Sequence, residues 1–124
     1  MVDGASLRVL VVDDHVGFRT LARLLLTAGG FRVVGEAGTG AEALSCSALL
    51  RPDAVLLDVQ LPDLSGFEVS RRLSEQSDPP AVVLTSARPL SDYGARVMPA
   101  AVRGFLRKAD LTGPALADLL VGVR

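Results

Sequence analysis

Five short runs of apolar, largely β-branched residues recur at nearly even intervals, and this spacing constrains the fold more than any other feature. They are Leu7–Val12, Phe31–Val34, Ala54–Asp58, Ala81–Thr85 and Gly104–Arg107, with starts 24, 23, 27 and 23 residues apart. Runs of this length read as strands, and their near-continuous hydrophobicity suits strands covered on both faces, as in a parallel sheet. Each interval leaves room for a strand and the helical crossover that parallel pairing needs. Helical spacing fills the gaps. Phe18, Leu21, Ala22, Leu25 and Ala28 predict one helix, Gly40–Leu50 a second, Gly66–Leu73 a third, and Leu116, Leu119, Leu120 and Val123 a last. The third helix is expected to bury Phe67, Val69 and Leu73 and to leave Arg71 and Arg72 to water. Only Ser91–Val102 resists, because Gly94 and Pro99 interrupt any helix there, so the fourth crossover is expected to be short or displaced.

The fold class that follows is α/β, a doubly wound five-stranded parallel sheet flanked by helices. One domain over residues 1–124 suffices for a chain of this length. With 49% hydrophobic and 22% charged residues the chain can bury a core, which excludes a mainly disordered state. Thirteen basic against fourteen acidic residues leave no positive field to displace counterions, so direct nucleic-acid binding is not expected. No apolar run approaches membrane-spanning length, and the single cysteine, Cys46, reads as a packing residue of a reducing compartment. A cytoplasmic location is expected.

In a parallel sheet every strand ends at the same edge, where open α/β folds bind their ligands. That edge collects Asp13 and Asp14 after the first strand, Asp58 at the end of the third, Thr85 at the end of the fourth and Lys108 after the fifth. Carboxylates about 4 Å apart repel by roughly 4 kcal/mol per pair at an effective dielectric near 20, which creates demand for a cation. Mg²⁺ fits an all-oxygen donor set with no histidine or cysteine expected to converge. A hard cation, an ammonium, a hydroxyl and a carboxylate nucleophile together suit phosphoryl transfer, with Asp58 as acceptor. Lys108 is the only lysine among thirteen basic residues, and a compact ammonium is suited to a point contact with phosphate. The glycines of Gly35–Gly40 read as a turn rather than a phosphate cradle, and His15, the only histidine, as a loop or helix-start residue.

The motifs VLVVDDH (residues 9–15), VLLDVQLPDLSG (residues 55–66), VVLTS (residues 82–86) and GFLRK (residues 104–108) span most of the chain. Together they resemble the receiver domain of bacterial two-component response regulators, and with GEAGTGAEAL (residues 35–44) they resemble the NarL/FixJ type most. The resemblance implies strand order 2-1-3-4-5 in a flavodoxin-like sheet. It implies Asp58 as phosphoacceptor, with Mg²⁺ held by Asp13, Asp14, Asp58 and the backbone carbonyl of Gln60. Lys108 would contact phosphate, and Thr85 and Phe105 would form the switch. Partners so implied are a sensor histidine kinase, a C-terminal DNA-binding output domain or an effector protein, and a phosphorylation-dependent second copy. The activity implied is transfer to, and hydrolysis from, its own Asp58, serving control of transcription.

The sequence departs from the pattern at three places. Ala109 stands where many receivers have proline, Phe105 lacks a tyrosine hydroxyl, and Ser91–Val102 lies where the signalling helix usually runs. Whether the Lys108–Ala109 bond is cis or trans stays open at this point. Two other readings stand beside the first: a pseudo-receiver acting through protein contacts alone, and a small aspartyl-nucleophile phosphatase. The second would want an aspartate two residues after Asp58, where Gln60 stands.

Overall fold

The structure, a computed structural model, describes residues 7–94 and 98–123. Five strands, β1 (Arg8–Val12), β2 (Arg32–Ala37), β3 (Ala54–Asp58), β4 (Ala81–Ser86) and β5 (Val102–Arg107), alternate with α1 (Val16–Ala28), α2 (Gly40–Leu50), α3 (Gly66–Ser74) and, after β5, α4 (Gly113–Leu119). The strands pair in parallel in the order β2-β1-β3-β4-β5, as the resemblance implies.

Strand periodicity divides the core into two layers. Val9, Val11, Ala54, Leu56 and Val83 join Ala22, Leu26, Leu116 and Leu120 from α1 and the C-terminal region on one face. The alternate residues Leu10, Val12, Val55, Leu57, Val82 and Leu84 join Ala43, Phe67, Val69 and Leu73 from α2 and α3 on the other. Side chains of period two facing helices on both sides explain why the strands read as unbroken apolar runs. Side-chain caps start three helices: Thr39, Ser65 and Thr112 each accept the backbone N–H of the residue three positions on.

Two expectations need correction. In α1, Leu21 is exposed and Leu26 is fully buried, because the inward stripe passes through Ala22 and Leu26. Gly35 is a strand residue and not part of a turn: β2 continues to Ala37, with a register irregularity opposite Val9 and Leu10. A Cβ at Gly35 would come within 2.7 Å of Leu50 Cδ1, the far end of a flexible side chain that would have to shift. Between β4 and β5, residues 95–97 of the Ser91–Val102 segment lie outside the described residues, as does Arg124. The described part holds a 3₁₀ turn over Leu90–Tyr93 and no α-helix. The Lys108–Ala109 bond is trans.

Candidate functional site

The loops leaving the C-terminal ends of β1, β3 and β5 meet around a cluster of charges. Asp13 follows β1 directly, is completely buried, and is tied to β2 by its N–H donating to the Ala37 carbonyl at 3.0 Å. Asp58 ends β3 and is 3% exposed. Lys108, in a 3₁₀ turn after β5, places Nζ 2.6 Å from Asp13 Oδ2 and 3.2 Å from Asp58 Oδ2. One ammonium therefore bridges two buried carboxylates. Its contact with Asp58 is a hydrogen bond, whereas Asp13 Oδ2 is held by ion pairing without hydrogen-bond geometry.

These neighbours shift both partners. Burial raises the Asp58 pKa above the ordinary carboxylate value, and the negative charge of Asp13 raises it further, while the Gln60 N–H and Lys108 only moderate the effect. Burial by itself would lower the Lys108 pKa, but the Asp13 and Asp58 carboxylates outweigh it and leave the ammonium more firmly protonated. Lys108 also lies 4.8 Å from the centre of the Phe18 ring, a cation–π contact from α1.

The β3–α3 loop is fixed from several sides. The Gln60 N–H donates to Asp58 Oδ1 at 3.2 Å, and the Gly66 N–H to the Val59 carbonyl at 2.7 Å. A Cβ at Gly66 would lie 2.5 Å from the Asp58 carbonyl oxygen, so only glycine lets α3 begin this close to β3. Asp63 accepts the N–H groups of Gly40 and Ala41 at 2.7 and 2.9 Å, anchoring the loop to the start of α2, and these bonds lower its pKa.

Thr85 is the register partner of Asp58 on β4, and its hydroxyl is buried without a hydrogen-bond partner. A buried unsatisfied hydroxyl beside an acidic pocket is costly unless a ligand oxygen completes it. Phe105 sits on β5 opposite Leu84, half-buried. Gln60 is exposed at the rim. Asp14 is exposed beside the buried pair, and donor atoms of Asp13, Asp14, His15 and Asp58 all lie within 4.8 Å of one another.

His15 was not expected in this cluster. It caps α1 at the backbone level, with Nδ1 2.9 Å from Asp13 Oδ1 and 3.1 Å from Asp14 Oδ1. Arg19, a turn further on, donates to the Asp13 carbonyl at 2.6 Å. Sequence spacing offers no sign of either contact, because each depends on how α1 leaves the β1 loop. The adjacency in Asp13-Asp14-His15 was the one available hint.

Residues 9–113 match the response regulator receiver domain family. The chain belongs to that family. A putative transcriptional regulator of Pseudomonas aeruginosa is 38% identical over 94% of the chain, and the response regulator GacA of Pseudomonas viridiflava is 35% identical over 95%. The chain spans 55% and 54% of the length of these two relatives. It also matches 24% of the length of a protein-glutamate methylesterase/protein-glutamine glutaminase of Hahella chejuensis, at 45% identity over 68% of the chain. Among solved structures, the signal receiver domain of the putative response regulator NarL from Mycobacterium tuberculosis superposes with a TM-score of 0.78 at 32% identity, covering 94% of each chain. The chain is thus a receiver domain of two-component signalling. No helix among the described residues is long and apolar enough to cross a membrane.

Proposed function

We propose that this receiver accepts a phosphoryl group on Asp58 from the phosphohistidine of a sensor histidine kinase and thereby changes the surface it offers an output domain. The observation that carries the reading is the buried Asp13–Lys108–Asp58 array beside the unpartnered Thr85 hydroxyl. Burial and Asp13 both disfavour negative charge on Asp58, so its carboxylate is more nucleophilic than a solvated one. Attack of an Asp58 oxygen on phosphorus forms the acyl phosphate bond while the P–N bond of the donor breaks and its electron pair returns to the imidazole. Lys108 is within reach of the new oxygens once Asp58 is modified, and Thr85 can donate to one of them.

The donor set fits a hard divalent ion: Asp13, Asp14 and Asp58 supply carboxylate oxygens, and the Gln60 carbonyl would complete the protein ligands of Mg²⁺. When bound, Mg²⁺ supplies charge neutralisation at the transferring phosphoryl group. His15 and Lys108 already face the Asp13 oxygens and hold that carboxylate in place. Hydrolysis of the acyl phosphate resets the domain, so its chemistry is confined to its own Asp58. The output is a C-terminal DNA-binding domain or an effector protein acting in transcription, with a phosphorylation-dependent homodimer as the active form and the cytoplasm as the location. The putative transcriptional regulator of which this chain spans 55% supports the transcriptional part of that reading.

Incubation with acetyl phosphate and Mg²⁺ should add one phosphoryl mass to the chain, and the addition should disappear with EDTA or in Asp58→Asn. An unmodified parent chain would instead favour a pseudo-receiver, and repeated turnover of a small phosphate ester a phosphatase.

A further inference from the structure

Phe105 has no hydroxyl, yet a phenolic hydroxyl is present beside it. Tyr93, on the 3₁₀ turn that follows β4, sets its ring edge-on to Phe67 at a centroid distance of 5.8 Å and tilted against Phe105 at 6.5 Å. Its hydroxyl is hydrogen-bonded to the Ser86 side chain. Ser86 is 2% exposed and also accepts the Arg88 N–H at 3.0 Å, so it staples the turn to the end of β4. Ser86 directly follows Thr85, and successive strand residues project to opposite faces of the sheet. One face of this strand end thus carries the unpartnered hydroxyl near Asp58, and the other carries the anchor of Tyr93.

We propose that Tyr93 is a positioning residue of the switch: its bond to Ser86 latches the β4–β5 connection and holds Phe105 in place. The proposal rests on the phosphoacceptor reading given above. The latch accompanies the arrangement in which Lys108 pairs with the Asp58 carboxylate itself. Drawing the Thr85 hydroxyl toward a phosphoryl oxygen shifts the end of β4, and Ser86 must move with it. Tyr93 is then released, and Phe105 can turn because its aromatic neighbour no longer blocks it. Tyr93 also walls a cavity of about 400 Å³ whose other side is the Val59–Ser65 loop, so its release remodels the surface next to the phosphoacceptor loop. The hydroxyl is required for this latch, because a phenylalanine in its place would keep the ring packing on Phe67 and Phe105 and lose the bond to Ser86.

The chain has one tyrosine and no tryptophan, so its intrinsic emission reports on Tyr93 alone. The full chain is titrated with beryllofluoride and Mg²⁺, with bound fluoride followed by ¹⁹F NMR and Tyr93 by emission and acrylamide quenching. The expected result is greater quenching on binding, with Ser86→Ala already quenched to that degree before beryllofluoride is added. Tyr93→Phe and Ser86→Ala should each bind beryllofluoride roughly fivefold more tightly than the parent, the factor one net neutral hydrogen bond provides. A merely structural role for Tyr93 would not tighten binding. Bound fluoride with unchanged Tyr93 emission, or parental affinity in both variants, overturns the latch alone. Absence of a bound fluoride signal in the parent overturns the phosphoacceptor reading and the latch with it.

Discussion

At the C-terminal edge of the sheet, Asp13 and Asp58 are 0% and 3% exposed and share one ammonium. At the N-terminal edge, Arg51, Asp53, Asp78 and Arg103 surround a cavity of about 500 Å³, and none of the four is buried. There the polar groups meet backbone: Arg8 donates to the carbonyls of Arg51 and Leu50 at 2.8 Å each, Asp53 accepts the Arg8 N–H at 2.9 Å, and Arg103 donates to the Val121 carbonyl at 2.8 Å. That hollow is lined by no buried charge, whereas the C-terminal edge holds two buried carboxylates. What separates the edge of the candidate site from the opposite one is the burial of like charges, which raises the Asp58 pKa.

Tightness at the edge of the candidate site can be broken by a single methyl group. Gly66→Ala would force a Cβ to within 2.5 Å of the Asp58 carbonyl oxygen and 2.8 Å of Val59 Cα, both backbone atoms that cannot rotate away. A loss of about 3 kcal/mol in urea unfolding is expected, the upper end of the usual cost of overpacking, together with impaired phosphoryl uptake because the backbone of Asp58, the proposed phosphoacceptor, would be displaced.

A smaller effect tests the burial of like charge. Because the folded-state pKa of Asp58 is raised, by burial first and by Asp13 second, ionising Asp58 costs the folded state. Its contribution favours folding below the ordinary aspartate range and is lost as pH rises through the raised pKa. Asp58→Asn removes that penalty while keeping the shape. It should unfold about 1 kcal/mol later than the parent at about pH 7, with the gap closing near about pH 3, since relief of the Asp13 repulsion is partly offset by the lost Lys108 pairing. Parallel stability curves for the two proteins would remove the electrostatic argument.

The smallest effect belongs to the opposite edge. Arg103→Ala removes an exposed guanidinium from the 500 Å³ cavity and should change stability by less than about 0.5 kcal/mol, with phosphoryl uptake at the parental rate. A marked loss of uptake would show that the two edges are coupled.

The same contrast shows what could be read from residues alone. Strands buried on both faces announce themselves as apolar runs, so the order of elements and the convergence of Asp13, Asp14, Asp58, Thr85 and Lys108 at one edge followed from the chain. Contacts that depend on the angle at which a helix leaves a loop did not. His15 turns back onto Asp13, Phe18 lies under Lys108 from ninety residues away in sequence, and Asp63 caps α2 across the β3–α3 loop. Gly94 and Pro99 did signal that the described residues between β4 and β5 hold no α-helix. They carried no sign that Tyr93 would turn inward to Ser86, because that bond depends on the 3₁₀ geometry of Leu90–Tyr93.

The most direct measurement locates the modified residue. After treatment with acetyl phosphate and Mg²⁺, borohydride reduction converts an aspartyl phosphate to homoserine, and peptide mass spectrometry reads its position. Homoserine at position 58 and nowhere else is the expected result; homoserine at Asp13, Asp14 or Asp53, or at no position, would contradict a nucleophile made by burial between Asp13 and Lys108.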